Sequence, residues 1–403
     1  MTSTMLCSVR YLVETLRSLD ADLGGRLTLR RGSPEDVIDA LCIEHQVSTV
    51  VATGDCAPYG RRRDARVAAS LEAAGRQLVL VGSPYAVAPG RILGGSGGPY
   101  QVFTPFRRSW EAHGCPLPVG TPTGIRWVQG ACDLTLDDLE PDPASVTATL
   151  PAAGEAAAED ALQRFLDGPV ASYGDDRNRP DLEGTSRLSP HLRFGTIHPR
   201  QVLARTPPGA SADVFRSEIA WREFYADVLW HRPDSAWQPL NPVGEHLRWD
   251  VGPEADARFE AWVDGRTGFP LVDAGMRQLA ATGWMHNRVR MLCASFLVKD
   301  LHIDWRRGAS HFMHLLIDGD LASNNHGWQW TAGTGTDAAP FYRVFSPDRQ
   351  AERFDPAGAY VARWVPEYGA PGYPEPIVDH GAERVEALAR WQEAKDAVAV
   401  IAG

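Results

Sequence analysis

Cysteine is scarce in this chain, and metal-ligand spacing is missing altogether. Only six cysteines (Cys7, Cys42, Cys56, Cys115, Cys132 and Cys293) occur in 403 residues, none in a CxxC pair or at a Cys/His spacing that would hold zinc. Reduced thiols are therefore expected, and disulfides or a structural metal are not. Long apolar runs are lacking too. Nothing approaches the ~20 residues that cross a bilayer, and no basic segment followed by an apolar one opens the chain, so a cytoplasmic protein without membrane contact is expected. Net positive charge is also absent: the formal balance is −11. The acid is concentrated, however. Residues 133–170 carry nine Asp and Glu against Arg164 alone, whereas residues 171–354 hold 21 Lys and Arg against 23 Asp and Glu. That nearly neutral stretch leaves room for a basic face, so the overall charge excludes no nucleic-acid partner.

The length of 403 residues exceeds one ordinary core and predicts two domains. A helical pattern over about 7–22 is followed by strand signals at Arg26–Arg30, Thr49–Thr53 and Gln77–Gly82. Between them lie a helix opening at Ser33-Pro34-Glu35-Asp36 and running to about Gln46, with a serine N-cap, proline and acid in its first turn, and a second over about 61–74. This alternation predicts an α/β domain with a parallel sheet over residues 1–130. Residues 83–150 are rich in Gly, Pro and Asp and read as a long crossing, with an acidic linker at 131–154. From 155 to 403 the patterns are helical, predicting an all-α second domain.

Unusual chemistry concentrates in Asp318–Trp330, DGDLASNNHGWQW. Buried polar side chains left without partners cost roughly 1–3 kcal/mol each, so such a stretch predicts a pocket for something polar and flat. TSRLSP at 185–190 offers hydroxyls and backbone N–H groups suited to a phosphate. In SEIAWREFYADVLW (217–230), Glu218, Trp221 and Tyr225 fall on one helical face. In GWMHNRVRM, Asn287, Arg290 and Met291 share a face while Arg288 points elsewhere. An inward Arg290 requires a carboxylate, and Asp318 and Asp320 are the candidates. Ten of the thirteen tryptophans lie between Trp221 and Trp364; indoles are among the side chains easiest to oxidise, which points to a redox or light-driven cofactor.

Taken together, GTSRLSP, IAWREFY, GFPLVDAGMRQL, GWMHNRVRM, FLVKD, IDWR, LIDGDLASNNHGWQW, GTGTDAAPFYRVFSP and RFDP, in this order and spacing, resemble the DNA photolyase/cryptochrome family, and most of all its bacterial cyclobutane pyrimidine dimer photolyases. The likeness runs from about Cys7 to Pro366. It implies FAD in the helical domain, held by residues matching the family's flavin contacts: Tyr173, Thr185, Ser186, Arg187, Leu188, Ser189, Asn287, Arg290, Asp318, Gly319, Asp320 and Asn324. Asn324 falls where the family places an amide near flavin N5. The implied lesion pocket comprises Glu218, Trp221, Tyr225, Asn287, Met291 and Trp330, and the implied DNA contacts are Arg177, Arg222, Arg288, Arg343 and Gln350. A dimer stacked in duplex DNA could not reach such a pocket, so it would be flipped out.

The implied reaction is electron donation from excited, fully reduced FAD to the dimer, ring splitting and return of the electron. Glu218 would stabilise the dimer anion by hydrogen bonding. Trp328, Trp305 and Trp249 match the family's chain that conducts an oxidising hole outward to the surface. A monomer acting on UV-damaged DNA is expected. The alternative is a cryptochrome-like blue-light receptor that binds FAD without repair. Two departures stand out. His326 occupies a position where many relatives carry a small residue, without an evident reason. The two strands and helix with which relatives begin are not seen ahead of Cys7. In the family's sheet order 3-2-1-4-5, losing strands 1 and 2 separates Arg26–Arg30 from the other strands. A loose sheet with an open edge at Thr49–Thr53 is expected, and a folate- or deazaflavin-type antenna is put in doubt.

Overall fold

Local signals at Ser33 and Pro34 act as the sequence suggests. The Ser33 side chain accepts from the Asp36 backbone N–H and starts a helix over Pro34–Glu44. The computed structural model describes residues 6–128, 130–336 and 342–402; part of the GTGTDAAPFYRVFSP motif, residues 337–341, lies outside them. The first part of the chain runs α1 (Leu6–Asp22), α2 (Pro34–Glu44), β1 (Thr49–Ala52), α3 (Pro58–Ala73) and β2 (Gln77–Leu80), then α4 (Phe103–His113). Among the described residues the sheet has two strands, parallel, with Thr49 opposite Gln77 and Ala52 opposite Leu80.

Arg26–Arg30 is not a strand. Leu29 accepts a hydrogen bond from the Asp133 N–H at 2.9 Å and Leu27 donates to Asp20 at 2.9 Å, but no ladder forms, and among the described residues no strand lies beside it. Among the described residues each strand has one partner, so β1 keeps an open edge, and Val51 is 62% exposed and Leu80 48%. Beneath the sheet, Cys42, Val67 and Leu71 are the buried residues of a small separate cluster.

The flanking elements are held more firmly, and not to the sheet. On α1, Tyr11 is buried against Phe194 with its hydroxyl donating to Ala152 O, and Ser8 donates to Leu316 O, so α1 is anchored on the helical domain. Residues 83–150 are not merely a crossing. They contain α4, whose Phe106 and Trp110 are buried. Limited proteolysis should therefore cut first within residues 23–82 or 111–140, whose described residues include few or no buried side chains. Mass analysis of the first fragments checks this, and initial cleavage within the helical domain would contradict it.

The rest is helical, as expected: α5 (Glu155–Asp167), α6 (Tyr173–Asp176), α7 (Ser189–Phe194), α8 (Pro199–Arg205), α9 (Ala210–His231), α10 (Pro253–Val263), α11 (Pro270–Thr282), α12 (Asn287–Lys299), α13 (Trp305–Leu315), α14 (Leu321–Ala332), α15 (Pro347–Phe354), α16 (Ala359–Trp364) and α17 (His380–Ala402). The largest core gathers Trp262, Phe296, Trp305, Phe312 and Trp328 from α10 and α12–α14. A second core joins the 86–110 segment to α5 and α9 through Phe106, Phe165 and Phe224.

Candidate active site

Two helix caps set the site. His286 caps α12 by accepting the Arg288 N–H on Nδ1, and Asp320 caps α14 by accepting the Ser323 N–H at 2.8 Å. From those starts, Asn287, Arg290 and Met291 on α12, and Asn324 and Trp328 on α14, reach one cavity of about 540 Å³. That size lies within the roughly 300–1,000 Å³ typical of small-molecule and cofactor sites. All the residues assigned to a flavin line it: Tyr173, Thr185 to Ser189, Asn287, Arg290, Asp318, Gly319, Asp320 and Asn324.

At its base the buried charge finds its partner. Arg290 Nη2 lies 2.7 Å from Asp318 Oδ2, and its Nε donates to Met285 O at 2.7 Å. Of the two candidate carboxylates, Asp318 is the one used. Its Oδ1 is buried without a hydrogen-bond partner among the described residues. An acceptor left this way costs about 1–3 kcal/mol, so the site calls for an N–H donor in the cavity. Arg187, at φ +55°, lays its guanidinium 3.7 Å from the centre of the Trp284 ring, and Ser189 accepts from the Trp284 indole N–H. Arg193, four residues past Ser189, donates to Gly319 O at 2.7 Å. Sequence reading missed Arg193 and Trp284; the helical spacing from Ser189 was the available signal for the first.

The expected lesion residues Glu218, Trp221, Tyr225, Asn287, Met291 and Trp330 line the same cavity. Arg177, expected on DNA, pairs with Glu218 at 2.7 Å. The arginine favours the carboxylate, but burial outweighs it and pushes the Glu218 carboxyl above its ordinary range. Arg288, expected to point elsewhere, lines the same cavity as Arg290, donating to Asn178 Oδ1 and lying over Phe354. Arg222 lines the cavity as well, and its guanidinium donates to the carbonyls of Pro84 and Leu192 and covers Tyr85, so it also ties the first domain to the second. Arg343 lies over Trp330, 5.7 Å from the ring centre, outside the cavity lining. Gln350 also lies outside it, its amide oxygen buried without a hydrogen-bond partner among the described residues.

Of the three tryptophans expected to move charge, Trp328 lines the cavity, Trp305 is 1% exposed in the same core as Trp328, and Trp249 is only partly buried against that core. The Trp328 ring lies against the backbone of α13 at Gly308, where a Cβ would fall 2.2 Å from the indole; no side chain fits there. Trp262, which sequence reading passed over, meets Trp328 edge-on with ring centres 6.2 Å apart.

His326 now has an account. It faces away from the cavity, donates from Nδ1 to Ala322 O, sets Nε2 2.8 Å from Ser235 Oγ and stacks on Tyr225. Burial lowers its pKa to about 4, so it is neutral at physiological pH. Together with Asn325 and Gln329, which bond to backbone carbonyls of residues 235–238, it fastens that segment to α14.

Comparison with known proteins agrees with the geometry. The family model for the FAD binding domain of DNA photolyase matches residues 215–371, and that for DNA photolyase matches residues 3–123. A deoxyribodipyrimidine photo-lyase of Synechococcus sp. is 40% identical, the alignment covering 97% of this chain and 88% of that one. Among solved structures, a bacterial class III photolyase from Agrobacterium tumefaciens superposes with a TM-score of 0.85 at 35% identity, over 97% of this chain and 89% of that chain. A cryptochrome from Synechocystis sp. superposes at 0.79 with 25% identity, over 95% and 88%. With identity at this level across nearly the whole of both chains, and a cavity built from the family's motifs, the chain belongs to the DNA photolyase family.

Proposed function

We propose that this chain is a light-dependent DNA repair enzyme that binds FAD in the 540 Å³ cavity and splits cyclobutane pyrimidine dimers in UV-damaged DNA. It would act as a cytoplasmic monomer; no helix among the described residues is long and apolar enough to cross a membrane. The observation that carries the reading is one cavity with two chemically distinct sides. The Arg290–Asp318 pair with its unsatisfied carboxylate oxygen suits the imide N–H of a flavin ring, and Glu218 with Trp221 on α9 suits an extruded pyrimidine dimer. When bound and reduced, FAD supplies on illumination the electron that opens the dimer and receives it back.

The chain's own residues do the rest. Asp318 and Arg290 orient the ring system, while Thr185 to Ser189 and Arg193 offer donors along the cavity wall. Glu218, held protonated to higher pH than a free carboxyl, donates a hydrogen bond where negative charge develops on the dimer. Trp328, Trp305 and Trp249 carry oxidising equivalents outward when the flavin must be reduced first. Arg177 and Arg288 attract phosphate at the cavity mouth.

Glu218→Ala should lower the repair yield several-fold under saturating light and DNA while flavin absorption stays intact. In the wild type the yield should fall as pH rises, since a carboxyl whose pKa is raised donates only below it. Per-photon repair on a defined dimer substrate measures both. An unchanged yield in Glu218→Ala would remove Glu218 from the mechanism.

A further inference from the structure

Trp221 is not alone. The Phe103 ring, at the start of α4, lies face to face with the Trp221 indole, with ring centres 3.6 Å apart and planes 10° apart. Trp221 lines the cavity and Phe103 does not, so the phenyl ring backs the indole from outside. The contact is braced on both sides. Phe103 meets Phe224 edge-on at 5.9 Å, and Trp221 packs on Tyr225 at 5.4 Å.

The helix that presents Phe103 is itself locked to α9. Two turns further along α4, the Trp110 indole donates to Glu223 Oε2 at 2.6 Å, and the same carboxylate accepts the backbone N–H groups of Ala86 and Val87. Glu223 is fully buried, so breaking this arrangement would strand a carboxylate in the core. Asp227, one turn on, accepts the Gly90 N–H at 2.7 Å. The first domain is thus fastened to the very helix that carries the lesion-facing Glu218 and Trp221, and Phe103 is the side chain it sends to the back of the pocket.

We propose that Phe103 is a positioning residue for the lesion: stacked behind Trp221, it holds the indole in one plane, so that the pocket for an extruded dimer is completed by a residue of the first domain. A flat indole with free χ2 rotation would have to be ordered each time a dimer binds, and immobilising a side chain costs binding free energy. Prior stacking removes that cost. The inference rests on the reading of the cavity as a lesion site.

The test is Phe103→Leu, which keeps apolar volume but removes the stack, with Phe103→Tyr as the conservative variant. An aromatic pair contributes enough to change affinity by about three- to tenfold. Phe103→Leu should weaken binding of dimer-containing DNA by that factor, leave affinity for undamaged DNA unchanged, keep full FAD content and photoreduction, and repair normally once DNA is saturating. Phe103→Tyr should restore lesion affinity. Unchanged lesion affinity in Phe103→Leu, or a parallel loss of FAD or of Tm without rescue by Tyr, would overturn the positioning role. If the wild type itself failed to prefer dimer-containing DNA, the lesion-site reading would fall instead, independently of the variants.

Discussion

Trp305→Phe should abolish photoreduction of bound, oxidised FAD while leaving repair intact once the flavin has been reduced chemically. Trp305 is 1% exposed and shares one core with Trp328, and Trp249, partly buried, packs against that core. A phenyl ring fills most of the space but is much harder to oxidise than an indole, so the substitution interrupts charge movement more than packing. Supplying the electron and using it are separate steps, and only the first passes through Trp305. Absorption spectra recorded under blue light with an external reductant follow the first step, and dimer loss with dithionite-reduced protein follows the second. Equal loss of both would mean that Trp305 acts through packing, and the Tm of the variant would show it.

The second large effect concerns the cavity base. Asp318→Ala removes the partner of Arg290, 2.7 Å away, together with the acceptor whose other oxygen meets no donor among the described residues. Breaking a buried ion pair costs about 3–5 kcal/mol, and part of that is carried by the cofactor, so FAD affinity should fall by roughly two orders of magnitude. The purified variant should be nearly colourless, with Arg290 still tied to Met285 O and the helical fold retained. FAD released on denaturation and quantified by chromatography measures it, with about one FAD per chain expected for the wild type. Full FAD content in Asp318→Ala would displace the flavin from this part of the cavity.

Much of this site could be read from the sequence because its chemistry is local or obligatory. An arginine on the inward face of α12 had to meet a carboxylate, and only the choice between Asp318 and Asp320 was open; Asp320 turned out to be committed to capping α14. The α9 face with Glu218, Trp221 and Tyr225 followed from helical spacing alone. What stayed hidden depends on elements far apart in the chain. Arg177 meeting Glu218, Arg222 binding Pro84 O and Phe103 backing Trp221 join segments 41 to 138 residues apart, and no periodicity encodes such contacts.

Polarity misled in one respect. In Asp318–Trp330 the sequence suggests a single polar pocket, yet α14 divides the stretch. Asn324 and Trp328 face the cavity, whereas Asn325, His326 and Gln329 spend their polarity on the 235–238 backbone. The strand expected at Arg26–Arg30 has a suitable pattern but no neighbouring strand among the described residues, and strand propensity without a partner does not make a sheet.

The most direct test of the account is one illumination experiment. Wild-type protein with chemically reduced flavin is mixed with DNA containing a defined cyclobutane thymine dimer, and intact thymines are counted after blue light and after the same time in darkness. The account predicts dimer splitting over many turnovers per protein in the light, with an action spectrum that follows the reduced flavin, and none in the dark. No splitting in the light, with FAD bound and the dimer DNA retained, would contradict it.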